Sequence, residues 1–236
     1  MNMSLTEEQE MLKNTAKNFL ENECPMSIVR DMRDDEWGYQ TELWQKMADL
    51  GWMGLVIPEE YGGVGGNFVD LTILLEAMGE SCLPGPYFST VVLGGEAILS
   101  GGNEGQRREI LPKIASGNLI LAFALAEPDS WFQADGIHTC AIPDNEDFII
   151  NGTKLFVENA HIADYIICVA RTSEGNPPEE GLTIFLVDRK SPGIKLTLLK
   201  TMSYEKQCEV FFDNVRVSKD NTLAKLEEDG VSWISF

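Results

Sequence analysis

Few side chains in this sequence have a type and spacing that would carry chemistry unaided. His138 and His161 lie far apart on different predicted elements, with no cysteine or carboxylate at ligand spacing, so no metal centre is expected. A nucleophilic triad would need a serine on a sharp strand-to-helix turn, and the sequence offers no such elbow. Gly62-Gly63-Val64-Gly65-Gly66 has the composition of a phosphate loop. It lacks a strand of useful length before it and a Lys-Ser/Thr pair after it, and reads instead as a flexible connection between helices. Glu127-Pro128 directly follows an apolar run, which puts a carboxylate at a strand end where ligands often bind. A solvated turn explains that pair equally well.

The elements that must position these residues change character halfway along the chain. Thr6 with Gln9 forms a capping-box pattern, followed by Met11/Leu12, Ala16 and Phe19/Leu20 at helical spacing up to Pro25. A second helix is expected from Tyr39 to Leu50, with Leu43/Trp44, Met47 and Leu50 on one face and Gly51 as its stop. Val69 to Met78 reads as a buried helix, Tyr87 to Leu99 and Glu104 to Ala115 as two more. Beyond Gly117 the period shortens. Leu119 to Leu125, Tyr165 to Ala170, Leu182 to Val187, Ile194 to Leu198 and Glu209 to Val217 are strand-length runs. Asn151-Gly152, between two β-prone runs, predicts a type I′ hairpin turn. The fold class expected is α+β: an all-helical N-terminal domain over residues 1–118, then an antiparallel β-sandwich or barrel over 119–229.

Composition narrows the partners. The 236 residues carry 38 acidic and 18 basic side chains, a formal charge of -20, which argues against nucleic acid or an anionic membrane as the main partner. No segment has the roughly 18 continuous apolar residues of a membrane span. The N-terminus has neither the basic start nor the apolar run of a secretory signal. Five scattered cysteines without a Cys-x-x-Cys fit buried thiols in a reducing compartment, so a cytoplasmic location is the default expectation.

An ordered set of segments is more specific than any of these. Leu43-Trp44, Ala48-Asp49-Leu50-Gly51-Trp52-Met53-Gly54-Leu55-Val56-Ile57-Pro58-Glu59-Glu60-Tyr61-Gly62-Gly63 and Leu111-Pro112-Lys113-Ile114-Ala115-Ser116-Gly117 come first. Phe123-Ala124-Leu125-Ala126-Glu127-Pro128, Ile149-Ile150-Asn151-Gly152-Thr153-Lys154, Ser191-Pro192-Gly193-Ile194 and Val210-Phe211-Phe212-Asp213-Asn214-Val215-Arg216-Val217 follow. Collinear over nearly the whole chain, they resemble the acyl-CoA dehydrogenases. The resemblance implies a helical domain, a middle β domain and a C-terminal helical bundle, whose entry corresponds to residues 230–236. It also implies FAD between the middle domain and the bundle, with an acyl-CoA thioester beside the flavin. A Glu in the bundle takes the α-proton, so no catalytic residue is assigned within this chain. An electron-transfer flavoprotein is the implied electron acceptor, and a homo- or hetero-oligomer the implied assembly.

By position, the resemblance assigns flavin contacts to Phe123, Leu125, Ala126, Phe156 and Glu158, and substrate contacts to Trp131 and Phe132. Several of these depart from the family pattern. Ala126 stands where the family has a flavin-contacting Thr, and Glu158 where it has a Thr near flavin N5. Trp131 and Phe132 replace a Gly and a Ser that allow close approach. Phe156 replaces a flavin-stacking Trp, an aromatic exchange. As plain β-domain residues, Phe123, Leu125 and Phe156 would instead belong to the core. The function implied is α,β-dehydrogenation of an acyl-CoA to the 2-enoyl-CoA in an intact assembly. The alternative is a non-catalytic, flavin-free subunit or paralogue that assembles with a full-length acyl-CoA dehydrogenase.

Overall fold

A computed structural model describes residues 4–130 and 133–225. Trp131, Phe132 and the expected bundle entry at 230–236 lie outside the described residues. The chain packs as two compact units, one taking residues up to Gly85 with Ala115–Gly117, the other Pro86–Ile114 with the chain from Asn118 on. The helices between 86 and 114 thus pack with the sheet, although they precede it in sequence.

In the first unit α1 (Glu7–Glu23) starts at the capping box read from the sequence: the Gln9 N–H donates to Thr6 Oγ1 at 3.2 Å and the Thr6 N–H to Gln9 Oε1 at 3.1 Å. Ala16 and Leu20 are its buried residues. A short helix α2 (Met26–Asp34) follows, which the sequence pattern does not announce. Pro25 ends α1 but also caps α2, a place where its missing N–H costs nothing. The third helix, α3 (Thr41–Asp49), buries Leu43, Trp44, Met47 and Ala48, and Trp44 Nε1 donates to the Gly117 carbonyl at 2.9 Å. Leu50, expected on that face, is exposed instead, because the helix stops at Asp49 and Gly51 turns the chain at φ 79°. The fourth, α4 (Phe68–Glu80), carries its own capping box between Asn67 and Asp70 and runs alongside α1. Gln9 to Asp70 at 2.9 Å and Lys17 to Glu80 at 3.2 Å link the two helices in parallel register.

The second unit pairs helices with one mixed sheet. A π-type helical segment, Phe88–Gly94, runs into α5 (Gly95–Gly101), and α6 (Glu104–Ala115) follows. The strands are β1 (Leu121–Ala124), β2 (Cys140–Asp144), β3 (Asp147–Glu158), β4 (Tyr165–Arg171), β5 (Leu182–Asp188), β6 (Ile194–Leu198), β7 (Gln207–Ser218) and β8 (Thr222–Lys225). Their order is β6-β7-β3-β2-β4-β5-β8, with β1 pairing β4 as well. Most neighbours are antiparallel, but β1 runs parallel to β4, Leu121 opposite Tyr165 through Ala124 opposite Cys168. The β2 strand takes up the same edge of β4 further along, at Cys140 opposite Arg171. The chain therefore leaves this edge of β4 after β1 and returns to it at β2. Thr90 fastens β1 to the helical segment: its Oγ1 accepts the Leu121 N–H at 3.1 Å and donates to the Leu121 carbonyl at 3.3 Å.

The hairpin expected at Asn151-Gly152 is not formed. One continuous strand, β3, runs through both residues, and the turn lies earlier, at Asn145, with φ 59°. What Gly152 makes is a bulge, a break in register against β7 between Ile150 and Gly152. A Cβ there would lie 2.4 Å from Thr139 Oγ1, at a φ of 153°. The local signal is right about the backbone and wrong about its use, since pairing with β7 decides between turn and bulge. Gly152→Ala should lower the unfolding free energy by about 2 kcal/mol or more, through clash and strain together. Urea denaturation of the two proteins measures it, and unchanged stability would remove this account of the bulge.

Candidate functional site

Two stretches of the second unit meet edge to edge: the end of β1 with residues 125–130, and the latter half of β3. The Leu155 N–H donates to the Ala126 carbonyl at 2.8 Å, which sets the end of β1 beside β3. Next to this bond lies a buried ion pair. Lys154 Nζ donates to Glu127 Oε1 at 2.7 Å, with 0% and 4% of the two side chains exposed, and to the Leu125 carbonyl at 3.0 Å. The Glu127 carboxylate also accepts the backbone N–H of His138 at 2.8 Å and that of Thr139 at 3.0 Å. Burial pushes the Glu127 carboxyl up. The Lys154 ammonium, with the hydrogen bonds from Lys154, Thr139 and His138, outweighs that and holds it below the usual carboxylate range. Glu127 is thus neither a ligand-facing carboxylate nor a solvated turn residue, the two readings its sequence allowed. Lys154 stands in the sequence only as the last residue of a family-like motif, with no sign of its burial. The available signal was a lone Lys between β-prone residues, with a lone Glu closing another apolar run, each lacking a local partner.

A second cation holds the far limb of the same excursion. Arg171, at the end of β4, donates through Nε to the Ile137 carbonyl at 3.0 Å and through Nη2 to the Ala134 carbonyl at 2.6 Å. At its base the Glu127 and Ser130 backbones bond each other in both directions.

The residues assigned to flavin contact fall around this junction. Phe123 lies in β1 and is half-buried, Leu125 just beyond it is half-buried, and Ala126 is buried. Phe156 is not core: 54% of it is exposed, and it sits at φ 56°. Two residues of β3, Leu155 and Phe156, interrupt the register with β7 between the pairs Lys154–Val210 and Val157–Cys208. A left-handed backbone at a bulky, solvent-facing residue costs on the order of 1–2 kcal/mol, and nothing in the burial of this ring offsets it. Glu158 ends β3 opposite Gln207 and is half-buried. Burial first, and the Glu205 carboxylate second, push its carboxyl above the ordinary range. The geometry brings Phe123, Leu125, Ala126, Phe156 and Glu158 into one neighbourhood. Trp131 and Phe132 lie outside the described residues and are not placed with them.

The glycine-rich segment is a bonded turn rather than a flexible loop. The N–H groups of Gly63, Val64, Gly65 and Gly66 donate to the carbonyls of Pro58, Gly54, Ile57 and Leu55. They are committed to backbone and unavailable to a phosphate. Cys24, Cys168 and Cys208 are buried as expected of reduced thiols, whereas Cys82 is exposed. Among the described residues no helix is long and apolar enough to cross a membrane.

Residues 6–118 match the family model described as acyl-CoA dehydrogenase, N-terminal domain, and residues 122–215 the one described as acyl-CoA dehydrogenase, middle domain. The chain belongs to the acyl-CoA dehydrogenase family. Its relatives include a protein named probable acyl-CoA dehydrogenase YngJ from Bacillus subtilis, 31% identical over 232 residues, covering 94% of this chain and 60% of that protein. Another, named acryloyl-CoA reductase (NADH), from Anaerotignum propionicum, is 31% identical over 231 residues, covering 95% and 58%. The crystal structure of an acyl-CoA dehydrogenase from Geobacillus kaustophilus superposes with a TM-score of 0.83 at 28% identity, covering 95% of this chain and 60% of that one. The chain therefore spans about three-fifths of the length of the relatives it matches.

The raised Glu158 carboxyl has a signed consequence. Its folded value lies above the ordinary 4.5, so the fold holds this proton more tightly than the unfolded chain does. That stabilisation is complete below the ordinary value and is lost as pH rises through the folded one. Relative to the parent, Glu158→Gln should therefore gain stability as pH rises from about 4 to 7. Urea unfolding across that range reads the difference, and a difference independent of pH would contradict the assignment.

Proposed function

We propose that this chain supplies flavin-facing surface of an FAD-dependent acyl-CoA dehydrogenase, acting in an intact assembly. The observation that carries the proposal is Phe156. An aromatic ring held out to solvent in a strained bulge is unexplained by the folding of this chain and suits a planar ring system stacked upon it. The residues nearby fit such a group. Phe123 and Leu125 offer half-buried apolar surface, and the Ala126 backbone is fixed by its bond to Leu155. FAD, when bound, supplies the two-electron acceptor for oxidising the Cα–Cβ bond of a thioester.

The chain's own residues have narrower tasks. Phe156 presents a ring face. Glu158, whose carboxyl burial and the Glu205 carboxylate push above the ordinary range, stands where the family uses a hydroxyl. Ala126 contributes only backbone, so the contact the family makes with a Thr hydroxyl there is lost. Trp131 and Phe132 are assigned, on the family resemblance, to the path of the acyl-CoA. No residue of the chain is assigned the α-proton, and an electron-transfer flavoprotein takes up the electrons.

A visible absorption spectrum of the complete assembly tests the reading. A flavin band near one FAD per chain is expected, and Phe156→Asn should weaken flavin retention by roughly tenfold or more, since ring stacking contributes about 1 kcal/mol beyond area burial and the burial itself is lost. No flavin in the complete assembly, even with FAD added, would overturn the enzyme reading. That result would favour a flavin-free subunit that serves a full-length relative.

A further inference from the structure

We propose that Lys154, acting through Glu127, is a positioning residue that sets the path of residues 125–130 and 133–139 at the edge of the flavin site. The inference rests on the flavin reading for what that edge faces, but not for the positioning itself. One buried ammonium holds the start of the excursion twice, at the Leu125 carbonyl and at the Glu127 carboxylate. The same carboxylate takes the N–H groups of His138 and Thr139, where the chain rejoins the sheet. Both ends of the excursion are therefore tied to a single cation on β3, two residues from Phe156.

The tie works because the carboxylate stays ionised inside the protein. The charged and titratable groups that act on it are Lys154 from β3 and the Cys168 thiol from β4, while Arg171, at the end of β4, is spent on the Ile137 and Ala134 carbonyls. The Cys168 thiol is pushed up to about 11, chiefly by burial, and is neutral at physiological pH. The His138 residue is exposed. Among the described residues, Lys154 is thus the cation that pairs with Glu127. Removing it leaves a buried carboxylate with only N–H partners, so the carboxyl takes up a proton or the loop leaves its place. A residue that merely fills space would produce neither effect.

Three proteins separate these outcomes: the full parent chain, Lys154→Met, and Lys154→Met with Glu127→Gln. In the double variant the side-chain amide oxygen at position 127 still accepts from the 138/139 backbone with no charge to bury. Amide hydrogen exchange is read at about pH 6 and about pH 8, as protection relative to β4. Lys154→Met should lose roughly a hundredfold of protection at His138 and Thr139 at the higher pH and distinctly less at the lower. The double variant should recover most of it and show no dependence on pH, and it carries the test if the single variant does not fold. Unchanged protection at 138/139 in Lys154→Met, or equal and pH-independent loss in both variants, overturns the proposal. FAD titration of the complete assembly then separates the two readings. Flavin affinity that follows protection supports both, whereas lost protection with unaltered affinity keeps the positioning role and removes the flavin from that edge.

Discussion

A lysine and a glutamate sealed from water are tolerable only if each finds its full complement of partners. Moving either charge out of water costs several kcal/mol, and attraction between the two offsets this only when the remaining donors and acceptors are also met. Lys154 and Glu127 meet that condition with the Leu125 carbonyl and the His138 and Thr139 N–H groups. The condition fixes much else. It holds the end of β1 against β3, allows the Ala126–Leu155 bond to form, and decides where the chain between β1 and β2 leaves and rejoins the sheet. Phe156 follows two residues after the buried ammonium, in the bulge beside it.

Around that junction stability and site geometry pull in opposite directions. The bulge places a large apolar ring in water on a left-handed backbone, and the end of β3 places a carboxyl beside a second one. Neither arrangement helps this chain fold. Both make sense if something planar and uncharged at its edge covers them, which is the physical content of the flavoenzyme reading. The bonds from Thr90 to Leu121 and the pairing with β4 hold the first strand in place while the surface near it carries the strain.

Much of the fold was legible because local chemistry decided it. The Thr6–Gln9 capping box, the Gly51 stop and the strands at 165, 182 and 194 all lie where pattern and propensity put them. What failed depended on distant partners. Asn151-Gly152 has the chemistry of a turn, and only pairing with β7 makes it a bulge. Pro25 reads as a stop, yet it also starts α2. The parallel pairing of β1 with β4 leaves no trace in a short apolar run. The family was legible through motif order, but exposure at Phe156 and burial at Lys154 were not, because residue type predicts the reverse of each.

On this account Lys154 and Glu127 act as one unit rather than as two polar residues that happen to be buried. A double-mutant cycle on the full chain, with Lys154→Met, Glu127→Gln and the pair, read by equilibrium unfolding near neutral pH, measures their coupling directly. A coupling of about 2 kcal/mol or more is the result predicted. Additive losses, with coupling near zero, would mean that the junction is held by something else.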